Sequence, residues 1–192
     1  MSRRLDLLML NIIMIAGEKK VTETSSEAYA ALYEQFMPKV YRYISFRIRD
    51  DHMVEDLTST VFEKAFTKFD RFNPQKASFS TWIFTIARNT VIDHYRVYKK
   101  DEYLNSEKIT NAPADYPSPE DEAIKTENTR RLRVFLARLN KREQEAIILK
   151  YRNGMSNREI AEVLNLTETN VGSILCRTIR KLRNSFIEWQ NE

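Results

Sequence analysis

Apolar residues in this chain recur every three or four positions over long stretches and seldom alternate, which is the period of helices. In SSEAYAALYEQFMPKVYRYISFRI, Tyr29, Leu32, Tyr33, Phe36, Val40, Tyr41 and Ile44 fall on one helical side. Pro38 predicts a bend or interruption there, because it lacks an amide donor and crowds the preceding turn. Asp50 or Asp51 can cap a second helix with Val54, Leu57, Val61, Phe62, Ala65 and Phe69 on its inner face. Its other face shows Glu55, Asp56, Ser59, Thr60 and Glu63. After the loop DRFNPQKAS, Ser78 or Ser80 caps a third helix. Trp82, Ile83, Ile86, Ala87, Val91 and Tyr95 point inward from it, and Thr85, Arg88, Asn89, His94 and Arg96 outward.

The pattern then breaks. KKDEYLNSEKITNAPADYPSPEDEA holds Pro113, Pro117 and Pro119 with few apolar residues and reads as an extended linker. Ser118-Pro119-Glu120-Asp121 supplies an N-cap, a first-turn proline and acids at the positive end of a new helix. That helix runs to about Leu139 on Ile124, Leu132, Phe135, Leu136 and Leu139. Asn140 with Glu143 forms a capping box for KREQEAIILKY, which Gly154 ends. Ser156 with Glu159 opens the next helix, Asn165 closes it in a left-handed turn, and Thr167 caps a last one. A short helix, a tight turn and a longer helix make a helix-turn-helix. Ala161 allows close approach, and Ile160, Leu164, Leu166, Val171 and Leu175 fill the angle. The last helix exposes Thr169, Asn170, Ser173 and Arg177 before the basic run Arg180, Lys181 and Arg183. In such motifs the second helix enters the major groove and the basic residues hold phosphates. A helical hairpin without a DNA role remains the alternative for this segment.

The fold class that follows is all-α, with two small helical domains joined by a flexible acidic linker, the second containing the helix-turn-helix. The expected boundaries are an N-terminal extension over 1–24, a first domain over 25–100, the linker over 101–118 and a second domain over 119–192.

Composition narrows the chemistry. Gly and Pro number only 3 and 5, consistent with helices, and 30% charged residues argue for a soluble protein. The lone Cys176 excludes an intramolecular disulfide framework and a multi-cysteine zinc site, and fits a reducing cytoplasm. With only His52 and His94 besides, no metal centre is expected. No nucleophile–base pair or Gly-rich phosphate loop stands out, so neither an enzyme nor a cofactor is expected. The net charge of +4 conceals segregation: residues 25–100 carry +3, residues 101–128 carry −6 and residues 129–192 carry +6. Basic blocks suit a nucleic acid, although solvated surfaces show the same bias. MSRRLDLLMLNIIMIAG has a signal-like charge order, but Asp6 and Asn11 interrupt it, and it is too short to span a bilayer. It reads as a packed or disordered extension, or as sequence upstream of a true start at Met9 or Met14, and stable membrane insertion is not expected.

Three stretches in this order resemble a known family. VEDLTSTVFEKAF is similar to the polymerase-binding part of a sigma-70-type sigma factor of the extracytoplasmic function group. FSTWIFTIARNTVIDHYR resembles that family's promoter-melting helix, and the stretch from Arg131 to Arg183 resembles its −35-reading domain. The resemblance implies a non-catalytic cytoplasmic protein that binds core RNA polymerase and promoter DNA, with an anti-sigma factor as a further partner. It places Glu55, Asp56, Ser59 and Glu63 against the polymerase, and Phe72, Asn73, Arg88, Asn89 and Arg96 at the −10 element. Thr167, Thr169, Asn170, Ser173, Arg177, Arg180 and Lys181 fall at the −35 element. In the linker, Asp101, Glu102, Glu107 and Asp115 would mimic phosphates against the polymerase, the alternative being a solvated acidic tether of which only the length matters. The chain departs from the family where Ser59 replaces a common Gln. Gly172, Ile174 and Cys176 likewise occupy positions often basic in relatives, which leaves −35 preference open. A helix-turn-helix regulator that is not a polymerase subunit would not need the first two stretches. A decoy that occupies polymerase would not need the DNA contacts.

Overall fold

The computed structural model describes residues 23–102, Arg49 apart, and 127–190; residues 1–22 of the expected extension, most of the linker, Ser118-Pro119 and Ile124 lie outside the described residues. The described residues form helices joined by short turns, with no strand among them. They fall into two compact units, one on each side of residues 103–126.

The first unit packs α1 (Glu23–Ser45), α2 (Asp51–Lys68) and α3 (Phe79–Glu102) against one another. Tyr29, Tyr33, Phe36, Val40 and Ile44 from α1 are buried, as are Val54, Leu57, Val61, Phe62 and Ala65 from α2. The Tyr29 hydroxyl donates to the Phe62 carbonyl at 2.6 Å, and burial pushes its pKa upward, so it stays protonated as a donor. Asp50 caps α2, its carboxylate accepting the Met53 N–H at 2.9 Å. Ser78, not Ser80, caps α3, its Oγ accepting the Thr81 N–H at 3.1 Å.

Several expected faces shift. Tyr43 is fully buried where Tyr41 was expected, because positions 36, 40, 43 and 44 hold one side of the helix and 41 lies 100° off it. Leu32 is only half-buried. Pro38 neither breaks nor ends α1, since Phe36 and Val40 anchor the helix in the core on either side of the lost hydrogen bond. On α3, Phe79 and Phe84 join the core, Trp82 and Ile86 are half-buried, and Tyr95 is 39% exposed rather than inward. The Tyr95 hydroxyl instead donates to the Arg47 carbonyl at 2.5 Å, closing the exit of α1 with an amphipathic ring that tolerates water. Asp101 and Glu102 continue α3 rather than opening the linker.

The second unit contains α4 (Glu127–Ala137), α5 (Lys141–Ile147), α6 (Asn157–Leu164) and α7 (Glu168–Gln190). Phe135 and Leu139 are buried, but Leu132 is 38% exposed, on the outer side of α4. Both capping boxes form. Asn140 Oδ1 accepts the Glu143 N–H at 3.0 Å, and Glu143 Oε2 accepts the Asn140 N–H at 3.1 Å. Ser156 and Glu159 exchange the same pair at 3.2 and 2.8 Å. α5 does not continue as α-helix to Tyr151: Ile148–Arg152 widens into a π turn, in which the Asn153 N–H reaches the Ile148 carbonyl at 3.1 Å. Gly154, at φ 70°, then reverses the chain.

The turn of the helix-turn-helix follows its local chemistry. Asn165 adopts φ 55° and ψ 55°, and the Leu166 N–H returns to the Ala161 carbonyl at 2.9 Å. Thr167 Oγ1 accepts the Asn170 N–H at 3.2 Å and starts α7. Ile160, Ala161, Val163 and Leu164 of α6 and Val171, Ile174, Leu175 and Thr178 of α7 are buried where these helices pack together and α5 covers α7, while Leu166 is half-buried.

Candidate nucleic-acid interface

Burying Val171, Ile174, Leu175 and Thr178 turns the opposite side of α7 to solvent. Thr167, Thr169, Asn170, Ser173, Arg177, Arg180 and Lys181 are all exposed, as expected, so one surface carries every −35 candidate. The Ser173 hydroxyl donates to the Thr169 carbonyl at 3.0 Å, and Arg177 Nε donates to the Ser173 carbonyl at 3.3 Å. These bonds lay both side chains along the helix. Ile174, a position of interest in the sequence, is 5% exposed and belongs to the core rather than to this surface.

The surface is concave where α6 meets α7. Asn157, Glu168, Thr169, Gly172, Ser173, Cys176 and Arg177 line an open depression. Asn157 was not legible as a site residue in the sequence. Its only signal was its place just after the Ser156 cap, where the first helix of such a motif starts. A Cβ added at Gly172 would meet only Asn157 Nδ2, at 3.8 Å, so no close approach within the chain requires this glycine.

Lys181 differs from its neighbours. Its Nζ donates to Glu143 Oε1 at 2.6 Å, the same carboxylate that closes the α5 capping box. Burial alone would raise the Glu143 pKa. The hydrogen bonds from Lys181 and the Asn140 N–H, with the charges of Lys181 and Arg177, outweigh burial and hold it below the ordinary value.

In the first unit the candidates divide between two places. Asp56 and Glu63 are exposed on the side of α2 away from its buried stripe and Ser59 is half-buried beside them, whereas Glu55, expected on that side, is half-buried in line with the buried Phe62 and Phe66. Asn89 and Arg96 are exposed seven residues apart on α3, within about 20° of one line, while Arg88 is half-buried to one side. Arg96 pairs with Asp93 at 3.3 Å in an exposed contact. Phe72 and Asn73 follow the short 3₁₀ turn Phe69–Arg71. Phe72 is half-buried, its ring centroid 5.1 Å from Trp82 and 5.6 Å from Phe79. Asn73 is exposed at the tip, its Oδ1 accepting the Gln75 N–H at 2.9 Å. The aromatic cluster therefore fixes the loop, and Asn73 is its outward polar group.

Among the described residues no group of three His, Cys, Asp or Glu side chains could hold a metal, and no helix is long and apolar enough to cross a membrane.

Fold and surface define an all-helical protein of two units, one built around a helix-turn-helix. Residues 32–100 match the family Sigma-70 region 2, and residues 129–182 match Sigma-70, region 4. The ECF RNA polymerase sigma factor BldN of Streptomyces coelicolor is 32% identical over 157 residues, covering 82% of this chain and 60% of that protein. The ECF RNA polymerase sigma factor SigW of Bacillus subtilis is 29% identical over 170 residues, covering 84% of this chain and 89% of that protein. Among solved structures, the sigma factor RpoE in complex with the anti-sigma factor NepR from Bartonella quintana superposes with a TM-score of 0.70 at 20% identity. It covers 83% of this chain and 97% of that one, a likeness of fold. The chain belongs to the sigma-70 family, in the extracytoplasmic function group of RNA polymerase sigma factors, which bind the polymerase and direct promoter-specific transcription.

Proposed function

We propose that the two units divide promoter recognition between them, residues 25–100 binding core RNA polymerase and the −10 element and residues 119–192 reading the −35 element. The observation that carries this is the surface of α7, where one buried side fixes the helix on α6 and the other presents Thr169, Asn170, Ser173 and Arg177 together. Asn170 suits an adenine edge and Arg177 a guanine edge or a phosphate, while Arg180 lies farther along for the backbone.

On α2 the acids Asp56 and Glu63, with Ser59, form the polymerase-facing side. Asn89, Arg96 and Arg88 meet the −10 strand, with Asn73 displayed for an unstacked base by the platform that Phe72 completes. The protein acts by binding rather than by catalysis, and works in the cytoplasm alongside the polymerase. An anti-sigma factor, such as the one bound to the Bartonella quintana neighbour, would act by covering these surfaces.

Co-purification with core polymerase followed by promoter-dependent run-off transcription tests this function. Transcription from a selected promoter, lost with a scrambled −35 element, is the expected result. DNA binding that neither needs nor recruits polymerase would indicate a separate regulator.

A further inference from the structure

One carboxylate in the second unit serves two elements. Glu143 is 9% exposed; its Oε2 accepts the Asn140 N–H at 3.1 Å, and its Oε1 accepts the Lys181 Nζ at 2.6 Å. The first contact caps α5, and the second ties that cap to the fourth turn of α7, 38 residues away. Lys181 lies four residues beyond Arg177 and eight beyond Ser173, so it extends the stripe that carries the candidate base readers. The apolar side of α7, with Val171, Ile174 and Leu175 buried, already packs on both α6 and α5. Glu143 adds a polar tether from α5, at a different angle around the helix.

We infer that Lys181 is a positioning residue, whose bond to Glu143 sets the rotation of α7 so that Asn170 and Arg177 meet base edges squarely. The proposal rests on α7 being the DNA-facing helix, and it moves Lys181 out of the phosphate-binding set, leaving Arg180 and Arg183. The physical case is the fate of the carboxylate. Drawing Lys181 to a phosphate would remove its side-chain hydrogen bond to a largely buried carboxylate, leaving that group the capping bond and the more distant charge of Arg177, and such a loss is costly. Kept together, the pair is net neutral and releases few counterions when DNA binds.

The test uses the full chain reconstituted with core polymerase. The probes are duplexes that this complex enriches from a random-sequence pool, and the same duplexes with the upstream element scrambled. Three quantities are read: the selected-to-scrambled affinity ratio, the slope of log affinity against log salt, and the melting temperature of the free protein. Lys181→Met should lower the ratio by about tenfold, comparable to one base contact, and leave the slope unchanged. Glu143→Gln should lower the ratio equally, and the double variant no further. Lys181→Arg, able to reach the same carboxylate, should restore it. Arg180→Ala should instead flatten the slope by about 0.9 with the ratio kept.

The proposal is overturned if Lys181→Met flattens the slope like Arg180→Ala, or if Glu143→Gln frees the lysine and tightens binding to both duplexes. A lower melting temperature with an intact ratio also overturns it, since the pair would then be structural only. If Asn170→Ala and Arg177→Ala bind both duplexes as the unaltered protein does, the assignment of α7 as the DNA-facing helix fails first.

Discussion

Gly172 sits inside α7, where glycine forfeits backbone entropy, yet no neighbour demands it. Within the chain the space above it is free to 3.8 Å. Gly172→Ala should therefore stabilise the protein by about 0.5–1 kcal/mol, a rise of a few degrees in a thermal melt. A fall in melting temperature would show a constraint that packing does not reveal. Single residues were legible where local chemistry dictates them: Asn165 in its left-handed turn, Gly154 at φ 70°, and Ser156 and Thr167 as caps, with Asp50 one of two candidates for its helix. They were misread where an aromatic or aliphatic side chain sat on the border of a stripe. Tyr41, Tyr95 and Leu132 all fit the helical period, and only the angle at which neighbouring helices cross decides which border residue is covered.

The elements repeat this division. Helix starts follow from short hydrogen-bonding patterns, so both capping boxes could be placed from sequence. The π turn at Ile148–Arg152 and the bond between Lys181 and Glu143 could not, because neither leaves a periodic trace. That bond has a consequence for acid stability. The folded-state pKa of Glu143 lies below its ordinary value of 4.5, so its contribution is present above that pH and is lost as pH falls through the folded value. Denaturant midpoints followed from neutral pH down to about pH 3 should therefore drop on the acid side. In Glu143→Gln the midpoint should be lower at neutral pH and its acid-side decline shallower. Parallel curves for the two proteins would mean that the ionised carboxylate adds nothing to the fold.

For the whole molecule, the two surfaces differ in the sign of their charge, and this separates their roles by experiment. The candidate polymerase face on α2 is acidic through Asp56 and Glu63, whereas the candidate DNA face on α7 is basic through Arg177 and Arg180. Neither set belongs to a buried stripe, so substitutions at either should leave the melting temperature within a degree or so. Reversing both acids, Asp56→Lys with Glu63→Lys, should weaken core binding by about tenfold or more through like-charge repulsion. Removing the readers, Asn170→Ala with Arg177→Ala, should leave core binding intact and abolish −35-dependent initiation. Mixed with the unaltered protein and limiting core polymerase, the two variants then behave oppositely. The reader-deficient protein competes for the enzyme and halves transcription at about equal concentration, whereas the charge-reversed protein leaves transcription unchanged. If the charge-reversed protein competes as well as the reader-deficient one, the polymerase binds elsewhere on the first unit. If the reader-deficient protein fails to inhibit, α7 is itself part of the polymerase contact, and the two units are not divided in their work.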